Sequence, residues 1–227
     1  MQLYGMPPTR AIRPLWVINL LGLSCEVVPL DPLGKEDRER IAALNPSCKL
    51  PILVDGDVIL TESMAITLYL AERYGEGRLI PNGVAERAMM HQWLYFLATE
   101  IEQPLWRMAL HEAIYPEAER QPDEIALAAR DCRKEIARIE SHLADRDWFV
   151  GGRPSVADFI AAYTLDWADE QDLLDASPNC LAFVDRLYAN PAAPPRIREG
   201  FACLGLGVIA PNLRRDLDPA IGRGGNE

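Results

Sequence analysis

The 227-residue sequence lacks paired cysteines and clustered histidines. Its five cysteines are widely spaced, none belongs to a C-x-x-C pair, and the three histidines, His91, His111 and His142, stand apart from one another. An odd number of scattered cysteines does not form a disulfide framework, and neither residue type has the spacing of zinc ligands. The sequence therefore favours reduced thiols and predicts no metal site.

The sequence also lacks long apolar runs and an excess of positive charge. No stretch reaches the roughly 18 consecutive apolar residues of a membrane-spanning helix, and the N-terminus does not have the pattern of a secretory signal. The formal net charge is -11, which repels nucleic acids and anionic membranes. We therefore expect a cytoplasmic protein that binds small molecules and neither nucleic acid nor membranes.

The first forty-four residues contain alternating strand and helix patterns. Residues 2–4 and 25–28 predict short strands, whereas residues 12–21 carry apolar side chains at helical intervals up to Gly22. Pro7-Pro8 predicts a turn between the first strand and this helix. A shorter and less regular helix is predicted at 38–44. Together these elements give the order β-α-β-α.

Pro51 interrupts a segment of strand-forming residues. A proline cannot donate a ladder hydrogen bond, so it must lie at an edge or in a turn, where a cis peptide is also compatible. Strands predicted at 52–54 and 58–60 flank Asp55-Gly56, a dipeptide that favours a tight hairpin turn. Because a helix at about 63–74 follows, the whole segment predicts a mixed sheet with helices packed on it.

After residue 75 the sequence changes from a mixed to a helical pattern. Glycine, proline and asparagine are concentrated at 75–83, which indicates a connection between domains. A long helix bent at Pro104 is predicted for 85–110, and another begins at Gln121-Pro122-Asp123. The sequence predicts a first domain at 1–76, a linker at 77–84, a helical domain at 85–210 and a tail at 211–227.

Two patterns in the helical part predict structure rather than chemistry. Ser155 and Asp158 have the spacing of a capping box, in which serine and the acid three residues later satisfy free N–H groups at a helix start. Six apolar residues step alternately by four and three, which is the spacing of one buried helix face. They are Ile125, Ala129, Cys132, Ile136, Ile139 and Leu143.

The pair Glu62-Ser63 predicts a ligand site at the start of the third helix. Free backbone N–H groups and the helix dipole at Ser63 attract a carboxylate, while the carboxylate of Glu62 can accept hydrogen bonds from an ammonium group. Both groups of an α-amino acid could therefore be bound by two adjacent residues. The backbone next to Pro51 is left unpaired and is available to the same ligand.

Taken together, the Pro51 loop, Glu62-Ser63 and the Ser155 capping box resemble the cytosolic glutathione transferase family, over roughly residues 1 to 205. The resemblance implies an α+β, thioredoxin-like N-terminal domain followed by an all-α helical bundle. It also implies glutathione as cosubstrate, with Leu50 beside Pro51 bonding its cysteinyl part and Glu62-Ser63 its γ-glutamyl end. Lys49, and less directly Lys35, are then candidates for its glycyl carboxylate.

Thr9 occupies the position that resembles the reactive serine of the theta, phi and zeta classes. Arg10 follows, where cysteine-type classes carry a thiol, so a protein-cysteine mechanism is disfavoured. The resemblance implies that Thr9 stabilises the glutathione thiolate with help from the charge of Arg10 or Arg13. Alternatively, Thr9 is an ordinary helix cap, and the two arginines are solvent-facing charges.

The second substrate is less defined by the sequence. Trp106, Arg107 and Tyr115 are the candidates for a pocket that holds a small apolar electrophile, although aromatic residues at helical spacing are more often core. The resemblance implies a homodimer and a role in detoxification. Two alternatives stay open: a glutathione-dependent isomerase, dehalogenase, lyase or peroxidase using the same thiolate, and a non-catalytic interaction module.

Overall fold

The computed structural model of the protein describes residues 1–31 and 34–204. The first part of the chain forms a four-stranded sheet with the order β2-β1-β3-β4. Its strands are β1 (Gln2–Tyr4), β2 (Glu26–Val28), β3 (Ile52–Asp55) and β4 (Val58–Leu60). β1 is parallel to β2 and antiparallel to β3, which is in turn antiparallel to β4. The sheet is therefore mixed, as the sequence predicts.

The two faces of the sheet are covered by different helices. Leu3 pairs with Leu53 and both pack into the main core, whereas the neighbouring Ile52 packs against Ile41 in a smaller cluster. This division follows from the alternation of side chains along a strand. Within the described residues, the α-helices are α1 (Ile12–Leu21), α2 (Lys35–Leu44), α3 (Ser63–Tyr74), α4 (Val84–Phe96), α5 (Gln103–Ala109), α6 (Pro122–Leu143), α7 (Val156–Glu170), α8 (Pro178–Tyr188) and α9 (Ile197–Leu204).

Local signals set the ends of α1 and α2. α1 ends where predicted because Gly22 adopts a left-handed conformation, with φ of +62°, and its N–H bonds back to the helix. α2 begins at Lys35, three residues before the predicted start at 38. Glu36 and Asp37 lie in its first turn, where negative charge complements the helix dipole, so the polar residues extend the helix.

The hairpin between β3 and β4 turns one residue later than predicted. Asp55 is the last residue of β3, and its carboxylate accepts hydrogen bonds from the hydroxyls of Tyr69 and Tyr74 on α3. The turn is made by Gly56, with φ of +60°, and Asp57. The predicted tight hairpin is confirmed and Gly56 lies in its turn, but the other turn residue is Asp57, because Asp55 pairs with Val58 in the sheet.

The predicted long helix at 85–110 is divided into segments. α4 passes into a π-helical segment, Leu97–Glu102, directly before α5, and a second π-helical segment, Leu110–Ile114, follows α5. Pro104 lies in the first turn of α5, where its missing N–H is tolerated. The π-helical turn before α5 is wider than an α-helical turn and accommodates the proline, so the helix continues. The predicted simple bend at Pro104 is therefore a π-helical insertion.

The core of the helical part agrees with the sequence patterns. Five residues of the predicted α6 stripe are buried and Ile125 is half-buried. Ser155 and Asp158 form the predicted capping box at the start of α7, and Asp158 Oδ1 also accepts the Phe149 N–H at 2.8 Å. Residues 205–227, which include the predicted tail, lie outside the described part of the chain.

α1 and α7 join the sheet side of the molecule to the helical side. Trp16 of α1 is fully buried, and its ring lies 5.6 Å from that of Phe159 of α7. The Val156 N–H bonds to the Leu79 carbonyl at 3.0 Å, which ties the start of α7 to the connection after α3.

None of the helices among the described residues combines the length and the apolar character that a membrane span requires.

Candidate functional site

The turn before α1 carries Thr9. Pro7-Pro8 is a cis peptide, and both the N–H and the Oγ1 hydroxyl of Thr9 donate to the Met6 carbonyl, at 2.9 and 2.6 Å. Thr9 Oγ1 also accepts the Ala11 N–H at 3.3 Å. Ala11 is the residue that caps α1, so Thr9 lies in the preceding turn. Its hydroxyl proton is therefore directed at the backbone within this turn.

Arg10 faces the helical side of the molecule. Its Nε donates to Glu102 Oε1, and its guanidinium lies 4.8 Å from the ring centre of Trp106 and 5.2 Å from that of Trp167. The Arg10 side chain is 29% exposed. Both tryptophan contacts have cation–π geometry, so the guanidinium is held by an acid and by two aromatic faces.

Arg13 is buried, and the alternative of a solvent-facing charge is wrong for this residue. Its guanidinium donates to Ser63 Oγ at 3.1 Å, to Glu102 Oε2, and to Thr164 Oγ1 at 2.8 Å. The ring of Tyr163 lies 4.8 Å from the same guanidinium. A helix-interior arginine at 1% exposure requires such partners, since burying an unpaired charge is strongly unfavourable. We refer to Arg13, Arg10, Glu102, Ser63 and Thr164 as the charged junction.

The charges of the junction fix its protonation. Burial by itself raises the pKa of the Glu102 carboxyl, but the charges and hydrogen bonds of Arg13 and Arg10 outweigh burial and hold that pKa below its ordinary value. For Arg10, burial lowers the pKa of the guanidinium, whereas Glu102 and Tyr163 together raise it above its ordinary value. Glu102 is consequently an anion at neutral pH, flanked by two cations.

The Pro51 loop and the start of α3 have the geometry of an open polar edge. The Leu50-Pro51 peptide is cis, and neither backbone group of Leu50 has a backbone partner among the described residues. Glu62 is exposed and adopts φ of +66°, a strained conformation for a residue with a side chain. Ser63 follows as the first residue of α3 and is buried.

The two candidate lysines extend from exposed backbone segments. Lys49 lies just before the cis peptide, and its carbonyl accepts the side-chain amide of Asn45 at 2.9 Å. Lys35 is the first residue of α2. Both side chains are exposed and free to reach a bound anion, although no contact in the structure joins them to Ser63 or Thr9.

The three candidates for the electrophile pocket point to different neighbours. Trp106 lies against Arg10, as described above, and is close to Trp167 with ring centres 6.5 Å apart. Arg107 instead pairs with Glu124 and Asp131 of α6, at 3.5 and 3.4 Å. Tyr115 follows the second π-helical segment, and its carbonyl accepts the Arg120 Nε.

Sequence reasoning missed Glu102, Thr164 and Trp167. Glu102 is a buried acid on a rod whose neighbouring buried residues, Ile101 and Leu105, are apolar. The sequence could have pointed to Glu102, because a single carboxylate among apolar buried residues needs a cationic partner. Glu102 also lies four residues before Trp106 and thus on the same helix face. Thr164 and Trp167 of α7 are uncharged, so nothing comparable in the sequence indicated that they belong to a site.

Comparison with known proteins identifies the family. The chain matches the family model of the glutathione S-transferase N-terminal domain over residues 1–72 and that of the C-terminal domain over residues 122–186. Glutathione S-transferase 3 of Zea mays is 29% identical over 201 residues, which cover 85% of this chain and 90% of that protein. Glutathione S-transferase F14 of Arabidopsis thaliana is 30% identical over 191 residues, covering 78% and 75%.

A solved structure gives the same result. The theta class glutathione S-transferase from Xanthomonas axonopodis pv. citri, determined with glutathione bound, aligns with a TM-score of 0.71 and 26% identity, covering 88% of this chain and 95% of that one. The chain belongs to the glutathione S-transferase family. The fold class expected from the sequence, a thioredoxin-like domain followed by a helical domain, is confirmed.

Proposed function

We propose that the protein binds glutathione along the open polar edge, stabilises its thiolate with Thr9 and directs that thiolate at a small apolar electrophile. The protein is a glutathione transferase by its family relationships. The observation that carries the residue assignment is that Arg13 bonds Ser63 and Glu102, while Glu102 bonds Arg10 beside Thr9. One buried network thus connects the candidate amino-acid site with the candidate catalytic turn.

The polar edge offers complementary groups to each part of the tripeptide. The exposed carboxylate of Glu62 would accept the γ-glutamyl ammonium, and the N-terminus of α3 at Ser63 would bind the adjacent carboxylate. Leu50, whose backbone groups beside Pro51 have no backbone partner among the described residues, would bond the cysteinyl main chain. Lys49 or Lys35 would pair with the glycyl carboxylate.

The reaction requires little covalent chemistry from the protein, because the nucleophile is the thiol of the substrate. A thiol with a pKa of about 8.5 is roughly 3% ionised at neutral pH, and lowering that pKa by two requires about 2.7 kcal/mol. One hydrogen bond to a charged acceptor supplies about 1.5–3 kcal/mol. A single well-placed donor that gives up no other hydrogen bond is therefore nearly sufficient.

Thr9 can supply this donor if its hydroxyl turns away from Met6. In the structure the hydroxyl makes a neutral hydrogen bond to the Met6 carbonyl, which contributes about 1 kcal/mol. A bond to a thiolate is worth roughly twice as much, so the exchange is favourable by about 1 kcal/mol once the sulfur is ionised. The hydroxyl therefore supplies part of the pKa shift, and nearby positive charge must supply the rest. The Met6 carbonyl keeps the Thr9 N–H as its partner.

The charged junction adds a long-range contribution. Arg10 and Arg13 carry two positive charges against the single negative charge of Glu102. Glu62 also acts on Arg10, so one positive charge is left unbalanced once Glu62 pairs with the ammonium group of the ligand. A net positive charge near the thiol favours its ionised form. Since Arg10 is engaged by Glu102 and two tryptophans, we assign it an electrostatic role rather than direct contact with the sulfur.

The electrophile would lie on the helical side of Thr9. Trp106 and Trp167 are only partly buried, so the parts of their rings that Arg10 does not cover offer apolar surface for a small aromatic or alkyl substrate. Arg107 and Tyr115 stay as outer candidates. The thiolate sulfur would form a bond to the electrophilic carbon, and the leaving group would depart with its electron pair. A homodimer, a cytoplasmic location and a detoxification role stay predictions from family membership.

The test is the ultraviolet absorbance of the thiolate of bound glutathione, measured against pH for the parent protein, Thr9→Ala and Thr9→Ser. We expect a bound-thiol pKa well below the free value in the parent, a rise toward the free value in Thr9→Ala with loss of transferase activity, and near-parental values in Thr9→Ser. A fully active alanine variant would contradict the role of Thr9, and a parent that binds no glutathione would contradict the whole proposal.

A further inference from the structure

The last described helix returns from the helical side to the turn that carries Thr9. Gly200 of α9 approaches Pro7-Pro8 so closely that a Cβ at this position would stand 2.9 Å from Pro7 Cβ, 2.9 Å from Pro8 N and 3.1 Å from the Pro7 carbonyl carbon. Two of these three atoms belong to the backbone and cannot move away by a change of rotamer. The approach therefore requires glycine.

α9 is held in this position by α7. The Ile197 N–H at the start of α9 donates to Asp166 Oδ2 at 3.0 Å, and Arg198 Nε donates to Glu170 Oε1 at 2.8 Å. Asp166 is fully buried, so its bond to the first turn of α9 is shielded from water. Anchored at one end, α9 has little freedom to shift when an atom is added at Gly200.

The contacted turn controls the direction of the Thr9 hydroxyl. Pro7 and Pro8 lie between Met6 and Thr9, and the N–H and hydroxyl of Thr9 both bond to the Met6 carbonyl. The four residues form one closed turn, so a displacement of its two prolines moves both the donor oxygen of Thr9 and its present acceptor. Donors in active sites act effectively only near their productive geometry.

We propose that Gly200 is a positioning residue for the transfer reaction, through which α9 supports the Met6–Thr9 turn and fixes the Thr9 hydroxyl relative to the thiol. This inference rests on the role of Thr9 in the proposed function. It assigns to the end of the helical domain a part in activating the thiol, in addition to any contact with the electrophile.

Helix propensity separates this proposal from simple helix packing. Alanine is a better helix former than glycine, so Gly200→Ala in a helix without close neighbours would raise the thermal midpoint and leave catalysis unchanged. If the added Cβ instead displaces the Met6–Thr9 turn, the thermal midpoint should not rise and the pKa of the bound thiol should be lowered less than in the parent. The two readings therefore predict opposite results for the same substitution.

The experiment compares the parent with Gly200→Ala and with Gly152→Ala, an exposed glycine whose added Cβ would meet no atom within 4 Å. For each protein we would measure the pKa of bound glutathione, the glutathione Kd by calorimetry, kcat with a chlorodinitrobenzene, and the thermal midpoint. For Gly200→Ala we expect kcat to fall about tenfold and the bound-thiol pKa to rise, with Kd changed less than about threefold. Gly152→Ala should match the parent.

An unchanged thiol pKa and kcat in Gly200→Ala, with a raised midpoint, would overturn the inference. If Gly200→Ala does not fold, Arg198→Gln decides, because it weakens the anchor of α9 and adds no atom at the turn: a raised thiol pKa supports the inference and an unchanged one overturns it. A parent with a lowered, Thr9-dependent thiol pKa keeps the proposed function intact in either case, so the two failures are distinguishable.

Discussion

The open polar edge and the charged junction behind it are built in different ways. The edge consists of exposed or half-exposed groups of the first domain, such as Lys49, Leu50 and Glu62. The junction is buried and joins residues far apart in the chain, since Arg13 bonds Glu102 and Thr164 across separations of 89 and 151 residues. Ser63 is the one residue that belongs to both regions.

This difference separates ligand binding, which belongs to the edge, from structural support, which belongs to the junction. Groups at the edge must stay open to a ligand, so they are positioned by local backbone geometry such as the cis peptide at Pro51 and the positive φ at Glu62. Groups in the junction have exchanged water for one another and hold the edge against the helical domain. Substitutions in the junction should therefore lower the free energy of unfolding, whereas substitutions at the edge should weaken glutathione binding.

The largest effect is expected from breaking the junction. Arg13→Ala would leave Thr164 and Ser63 without their cationic donor and Glu102 with only Arg10, so the free energy of unfolding should fall by about 3 kcal/mol or more. Denaturant unfolding would measure the change. The KM for glutathione should rise as well, because Ser63 loses the partner that orients its hydroxyl.

The matched control is Arg40→Ala, which breaks an ion pair with Asp37 in which the arginine side chain is 59% exposed. This change should alter the free energy of unfolding by less than about 1 kcal/mol. Equal losses in the two variants would mean that the junction contributes no more than a surface pair, and the distinction between the regions would fail.

A change confined to the edge should affect binding without affecting folding. Glu62→Gln removes the negative charge proposed to hold the γ-glutamyl ammonium, so glutathione Kd should rise by about tenfold, the loss of one charge-assisted hydrogen bond. Calorimetric titration would measure the change, and the unfolding free energy should stay within about 0.5 kcal/mol of the parent. Glu72→Gln, an exposed acid on the same helix, is the control and should leave Kd unchanged. A Kd for Glu62→Gln equal to that of the control would remove Glu62 from the site.

The smallest effect concerns Asp166, a buried carboxyl of α7 that belongs to neither region. Burial raises the pKa of Asp166 to about 7 from an ordinary value of 3.8, since its Oδ1 has no hydrogen-bond partner in the described part of the chain. The Ile197 N–H and the charge of Arg196 act in the opposite direction, while Glu170 and Asp169 add to the rise. Burial raises the pKa of the neighbouring Tyr188 hydroxyl well above its ordinary value, and the charge of Asp166 adds to that rise.

The folded protein therefore retains the Asp166 proton at pH values where the unfolded chain has lost it. The contribution of this group to the free energy of unfolding must fall as the pH rises from about 4 to about 7. In Asp166→Asn no proton can be lost, so its thermal midpoint relative to the parent should rise between pH 5 and pH 8 by a few degrees. The control for net charge is Asp57→Asn at the exposed hairpin turn. A midpoint difference independent of pH would show that Asp166 does not titrate in this range.

The elements of the fold that local signals define could be predicted from the sequence. The ends of α1 and α3, the capping box at Ser155 and the buried stripe of α6 agree with prediction, because each depends on residues within a few positions of one another. The hairpin turn and the long helix were predicted less well. Tyr69 and Tyr74 hold Asp55 in β3, and π-helical turns interrupt the rod.

The sequence by itself determined the order of elements, the turn at Pro51 and the start of α3 at Ser63, because turn chemistry, helix caps and periodicity act over short distances. The family followed from the resemblance of several motifs taken together. Only the tertiary structure decided that Arg13 is buried rather than solvent-facing and that Glu102 is its partner. It also brought Gly200 against Pro7-Pro8. Such contacts depend on how segments separated by 89 residues or more pack together, and no local pattern contains that information.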